Sequence, residues 1–324
     1  MNAASIALLC SLAASSLAAQ SVIEIDLPPQ AAPMEIAIAK DGTLWYTSTD
    51  GHIGRRLPTG EVKQFEVPTP DSRPQGITIG PDGNIWFTEQ HADRIGRMTP
   101  AGVFTEFVLP LGSAPASITA TKTEIWFTEF SRGRIGRMSL TGTLDEFTIP
   151  TTNSQPVGLA VDATGDLWFA ENNSNKLGRI DPLGQVTEYV LDGVRSQPGA
   201  VAIDPEGKIW FTEPQAAHVG VFDPKTKQMH EFETPSKYSG PSYIIVTPDG
   251  TVWFTEHYHP AIGMIAKGSS NVVEMPIKSE SEVHLTGIAA EENGDIWATE
   301  YTVSRLTRIT PAPKPKPARR RAAR

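Results

Sequence analysis

Short apolar runs recur along the whole chain, separated by clusters rich in Gly, Pro, Asp and Thr, and no stretch sustains a helical apolar period. The stretch from residue 74 to 108 sets the pattern. Gly76-Ile77-Thr78-Ile79 reads as a strand, and Pro81-Asp82-Gly83 as a tight turn in which Gly supplies a positive φ. Ile85 to Thr88 form a second strand, Arg94-Ile95-Gly96-Arg97-Met98 a third, and Phe104-Thr105-Glu106-Phe107-Val108 a fourth. Thr99-Pro100-Ala101-Gly102 makes the turn between the last two. The prediction is an all-β chain of antiparallel strands joined by tight turns.

The second strand of this unit is written again and again. Asn84-Ile85-Trp86-Phe87-Thr88-Glu89 recurs around Trp126, Trp168, Trp210 and Trp253, with weaker copies around Trp45 and Trp297, and these seven places use all seven tryptophans. Successive Trp are 41, 40, 42, 42, 43 and 44 residues apart. Four antiparallel strands per period of that size predict a β-propeller blade, hence seven blades in one domain. The seventh unit supplies Thr286 to Ala290, Ile296 to Thr299 and Ser304 to Ile309, then stops without a fourth strand. Val22-Ile23-Glu24-Ile25-Asp26-Leu27 has the pattern of that missing strand, so the N-terminal strand is expected to complete the last blade and close the ring. Both faces of an inner strand are covered in such a ring, which assigns the Ile-Trp-Phe runs to the packing between blades.

The ends differ from the body. The first twenty residues carry no charge and run apolar from Ile6 to Ala14 before small residues around Ala18, the pattern of a secretory signal peptide over residues 1–19, although its first residues lack Lys or Arg. Leu9 before Cys10 does not suit lipid attachment, and with the leader removed the chain has no thiol for a disulfide or a cysteine metal site. A secreted or periplasmic monomer is expected. The tail, residues 311–324, holds six basic residues and no acid, which leaves 22 basic against 37 acidic side chains, a net charge of −15, for residues 21–310. The propeller, residues 20–310, is thus no nucleic-acid surface. The Pro, Lys and Arg tail is expected to be disordered, serving solubility or contact with an anionic envelope.

If the first strand of each blade lines the channel, its start and the end of the second strand share one rim, where propellers gather their binding loops. Glu89, Glu129, Glu171, Glu213, Glu256 and Glu300 end the second strands, with Ser48 the exception. Carboxylates around one opening suit a hard cation. A residue repeated in nearly every unit, however, is first read as serving each unit alike, by accepting hydrogen bonds. Departures from the repeat are the better pointers to chemistry. Blade six has Glu256-His257-Tyr258-His259 and Pro241-Ser242-Tyr243, and blade seven has His284-Leu285-Thr286 and Glu300-Tyr301. Blade one adds Glu35 in the slot where blade two has Gly76. His257, His259 and His284 are the candidate catalytic residues, as general bases or metal partners; Glu35, Ser242, Tyr243, Thr286 and Tyr301 are candidate substrate contacts. Glu256 and Glu300 are the candidate metal ligands. His52, His91, His218 and His230 are scattered singly and read as solvated residues.

The unit Pro-x-Gly-Ile, Pro-Asp-Gly-x-Ile-Trp-Phe-Thr-Glu, Ile-Gly-Arg-Met and Thr-Glu-Phe resembles the streptogramin B (virginiamycin B) lyases over residues 22 to 310. The resemblance implies magnesium-dependent opening of a cyclic depsipeptide at its ester by elimination, with a His removing the proton α to the carbonyl. It also implies a His directly after the Pro of blades six and seven, where this chain has Ser242 and Thr286, and a metal-binding Glu where it has His284; a further Glu corresponds to Glu300 or Tyr301. Two function classes therefore stand at this point. One is a metal-assisted lyase acting on a cyclic or lactone-like ester. The other is a non-catalytic propeller binding a glycan, peptide or envelope partner in the same funnel.

Overall fold

The computed structural model describes residues 21–192, 197–277 and 282–311. The expected leader lies outside these residues, as does the basic tail beyond Pro311. Seven four-stranded antiparallel sheets are arranged as a propeller, and six of them use four consecutive strands. The seventh combines Leu285–Ala290, Ile296–Glu300 and Arg305–Thr310 with the N-terminal strand Ser21–Asp26, which pairs along its whole length with Arg305–Thr310. The ring closes as the repeat predicts, and no sheet edge faces a gap between first and last blade.

The recurring residues hold neighbouring blades together. Trp86 is fully buried among Ile118, Ile125, Phe127 and Met138 of the next blade, and Trp297 likewise meets Ile36, Leu44 and Tyr46 of blade one, so the interlock runs through the closure. In blades two to six the Phe after the Trp lies against the Gly of the third strand, and Tyr46 does the same over Gly54 in blade one. A methyl group added to Gly96 would stand 2.1 Å from Phe87 Cζ, so only Gly admits the ring. Blade seven departs at both partners together, with Ala298 opposite Thr307 where blade six has Phe254 opposite Gly263. Thr88 Oγ1 accepts from the Gly76 amide at 2.8 Å and donates to the Ala116 carbonyl of the next blade at 2.7 Å. Thr299 makes the equivalent bond to Met34 O at 2.8 Å, again across the closure.

One irregularity positions the site. The first strands of six blades break register just after their opening residue, as between Pro33 and Ile36 or between Pro241 and Ile244. Such a bulge bends the strand and re-aims the side chains on it. Glu35 and Tyr243 both lie on these bulges and line the channel.

Candidate functional site

The channel widens on the face where first strands begin and second strands end, into a cavity of about 340 Å³ lined by Glu35, Gln75, Gln90, Phe130, Asn172 and Tyr243, among others. Gln90, Phe130 and Asn172 each directly follow a second-strand Glu, and His257 and Tyr301 hold the same place in blades six and seven. A larger cavity, about 770 Å³, opens on the other face between blades one to three, and neither His nor Glu lines it.

Glu35 is half-buried as a residue and lines the cavity. Burial pushes it up to about 8, partly offset by the Ile77 amide, which donates to Oε2 at 3.1 Å. No cation compensates among the groups acting on it. Near neutral pH the group is therefore mostly the uncharged acid, able to donate a hydrogen bond. Tyr243 shares the cavity, its hydroxyl pushed up by burial and by Glu35.

His257 and His284 come together from two blades, with ring centroids 4.5 Å apart and tilted by 46°. His257 Nδ1 lies 3.2 Å from the Leu285 carbonyl. A carbonyl can only accept, so Nδ1 carries the hydrogen and the neutral ring keeps its lone pair on Nε2. Burial, and to a lesser degree His284, push the His257 pKa down, against the Leu285 bond. Tyr258 packs edge-on against His257 at 4.8 Å and is 63% exposed, forming the outer wall of the pair. Its ring passes so close to Gly240 that a methyl group there would meet Tyr258 Cδ2 at 2.5 Å, and Gly240 also has a φ of +64°. Glycine is required there on both counts.

The remaining expected site residues lie elsewhere or are committed to structure. His259 does not join His257; its Nδ1 faces Glu256 Oε2 at 3.0 Å and its Nε2 faces Ser236 Oγ at 3.4 Å. Thr286 is buried, with its hydroxyl 3.1 Å from Pro33 O and 2.8 Å from Thr299 Oγ1. Ser242 lines the cavity while its carbonyl accepts from Thr212 Oγ1 at 2.9 Å. Tyr301 is half-buried, and its amide donates to the His284 carbonyl at 2.9 Å.

The second-strand glutamates do not line an opening; all six are buried within their blades. Glu129 accepts from Ser113 Oγ at 3.0 Å and Arg132 at 2.9 Å, Glu171 from Ser174 Oγ at 2.7 Å, and Glu300 from Thr307 Oγ1. Burial raises Glu89 and Glu171 to about 7 and Glu256 to about 9, the last helped by the facing Glu274. Among the described residues two groups of mixed His and Glu could hold a metal ion: Glu213 with His218 and Glu231, and Glu256 with His259 and Glu274.

A closed seven-bladed ring with a polar funnel, and a His pair contributed by blades six and seven, is the architecture of a lyase-like propeller. The virginiamycin B lyase family model matches residues 13–227, and the chain belongs to that family. Virginiamycin B lyase from Staphylococcus aureus, in selenomethionine form, is 30% identical and superposes with a TM-score of 0.86 over 91% of this chain and 100% of its own. A streptogramin B lyase structure is 29% identical, with a TM-score of 0.86 over 90% and 98% of the two chains. So is a catalytically inactive His-to-Ala variant of the S. aureus enzyme with quinupristin, over 91% and 100%. No curated protein sequence matches the chain.

Proposed function

We propose that the protein is a carbon–oxygen lyase that opens the ester of a small cyclic depsipeptide or lactone-like substrate in this funnel. The observation that carries the reading is His257, fixed by its Nδ1 bond to Leu285 O so that the lone pair stays on Nε2, with the His284 ring packed beside it. Nε2 would remove the proton α to a carbonyl. The electron pair forms a carbon–carbon double bond and the bond from the β carbon to the ester oxygen breaks, so a carboxylate leaves and no water is consumed. Glu35, as the uncharged acid, and the neutral Tyr243 hydroxyl would donate hydrogen bonds to the enolate-like oxygen that develops between. Supporting this reading are membership of the lyase family and the likeness to a lyase structure with quinupristin.

The magnesium implied by the resemblance does not fit the funnel's own donors. Hard cations want several ionised oxygens. Among the described residues Glu35 is the only carboxylate lining the cavity, and it is mostly uncharged near neutral pH; Glu300 is buried within blade seven and His284 stands at the family's metal-binding Glu. The elimination is therefore written on protein groups. We also propose that the protein works outside the cytoplasm, on the strength of its apolar, charge-free first twenty residues.

The test is incubation of the full chain with quinupristin and a panel of cyclic depsipeptides, read by mass spectrometry. Elimination gives a ring-opened product with the mass of the substrate and the absorbance of a new double bond, and His257→Ala abolishes it. A product heavier by one water sinks elimination in favour of hydrolysis. Saturable binding without turnover across the panel would instead favour the binding propeller.

A further inference from the structure

The repeat supplies an internal control for every blade. In four blades a permanent cation opens the third strand and faces a Glu of the fourth: Arg94 with Glu106 at 3.3 Å, Arg134 with Glu146 at 3.1 Å, Lys176 with Glu188 at 3.1 Å and Arg305 with Glu24 at 3.1 Å. The buried second-strand Glu lies beside each pair, as in blade three, where Arg132 reaches both Glu129 and Glu146. Two carboxylates on adjoining strands are tolerated because a fixed positive charge stands between them.

Blade six keeps both carboxylates, and among the described residues no Arg or Lys takes the cation's strand position, which Ala261 holds. Glu256 pairs with Ala261 just as Glu89 pairs with Arg94, and Glu274 holds the place of Glu106. Ala261 is wholly buried and offers no polar group. The serine that serves Glu129 in blade three, Ser113, has its counterpart in Ser239, whose hydroxyl is bonded instead to Thr234 Oγ1 at 2.8 Å. What enters is His259, in the slot of Arg132. The Glu256 side chain has no solvent exposure, and its Oε1 has no hydrogen-bond partner among the described residues. Ser236 Oγ donates to Glu274 Oε2 at 2.6 Å from the far side. One atom each from Glu256, His259 and Glu274 lie within 4.8 Å of one another, and the His259 side chain is 39% exposed, which leaves a route in from solvent.

We propose that Glu256, His259 and Glu274 form a binding site for a divalent transition-metal ion of the Zn²⁺ or Mn²⁺ kind, which takes the place of the blade's missing cation. Two carboxylates with one imidazole suit a borderline ion better than magnesium, which prefers oxygen ligands alone. The site stands apart from the funnel: His257, two residues before His259, turns to Leu285 of the next blade. It is independent of the proposed lyase activity. Blade five is the near relative that clarifies the choice. There His218 itself occupies the cation's strand position and faces Glu231 at 3.6 Å, so the slot is filled from within the strand.

The experiment uses the full chain without an affinity tag, stripped with chelator and titrated calorimetrically with Zn²⁺, Mn²⁺ and Mg²⁺. One equivalent of Zn²⁺ or Mn²⁺ should bind, at least 100-fold more tightly than Mg²⁺. The double variant H259A/A261R copies Ala92 and Arg94 of blade two and so restores an internal cation. It should keep the circular dichroism and melting temperature of the parent and lose binding at least 100-fold, and Glu274→Gln should weaken it. His257→Ala with His284→Ala should leave binding within threefold. No saturable binding of either transition metal at millimolar concentration overturns the proposal. So does undiminished binding in H259A/A261R, or binding lost only with His257 and His284.

Discussion

Glu35 offers the sharpest link between the geometry and a measurable pH dependence. Its carboxyl is raised from an ordinary 4.5 to about 8 in the fold. Below pH 4.5 the folded and unfolded chains both hold the proton, and Glu35 contributes no pH dependence. Between 4.5 and 8 the unfolded chain loses it while the folded chain keeps it, so stability falls as pH rises; above 8 both are ionised and the loss levels off. At about 1.4 kcal/mol per pH unit the window would amount to roughly 5 kcal/mol. Channel water reaches the half-buried group and screens it, so about 2–3 kcal/mol is the reasonable expectation. That corresponds to a melting-temperature change of roughly 5 °C for a domain of this size. Glu35→Gln keeps the shape and can still accept from the Ile77 amide, but it cannot titrate. The assay is melting temperature from pH 4 to 9.5 for parent and variant, because the difference removes the other raised carboxyls, among them Glu89 and Glu171. The parent should lose ground to Glu35→Gln steadily from pH 4.5 to 8 and no further beyond. A flat difference through that window, or one that favours the parent as pH rises, would refute the burial argument. In the lyase assay, the fall in rate as Glu35 ionises above about pH 8 should vanish in Glu35→Gln, whose amide still donates.

Gly96→Ala should cost about 3 kcal/mol by calorimetry, since its methyl group would stand 2.1 Å from Phe87 Cζ. Phe87→Ala with Gly96→Thr copies the Ala298 and Thr307 pairing of blade seven and should be more stable than the sum of its single changes by at least about 1 kcal/mol; strict additivity would deny the coupling. At the ring closure, Glu24→Gln with Asp26→Asn should change stability by less than about 1 kcal/mol, because Arg305 meets them near the surface. Thr299→Val removes a buried hydroxyl bonded to Met34 O and should cost about 1–2 kcal/mol, reversing the order that charge alone would suggest.

The fold was legible because a repeat turns each residue into seven observations. Trp86, Phe87 and Gly96 recur at fixed offsets since each blade must cover its neighbour in the same way, and the incomplete last unit exposed the role of Ser21–Asp26. Reading the second-strand glutamates as structural acceptors agrees with their burial, whereas a ring of carboxylates around the opening is not what the blades build. The funnel contacts Gln90, Phe130 and Asn172 were missed, although each follows one of those glutamates and could have been found by aligning the repeats one place further.

The limits of such a reading come from the loops, where spacing does not fix direction. His257 and His259 are two residues apart and suggested a single site, as they would in an extended strand. The chain instead turns here: the amides of His257 and Tyr258 bond to the carbonyls of Gly240 and Ser239, and the Ala261 amide returns to the His259 carbonyl at 2.7 Å. One ring is thereby sent toward Leu285 of the next blade, the other toward Glu256 and Ser236. The sequence did carry a signal for the second destination, but in a residue that looked unremarkable. Ala261 stands where four other blades place Arg or Lys, and a small buried residue in a slot reserved for charge implies that the charge comes from elsewhere. In a repeat protein, the loss of a recurring charge is as informative as the gain of a reactive side chain, because the carboxylates it served remain in place and still need a counterion.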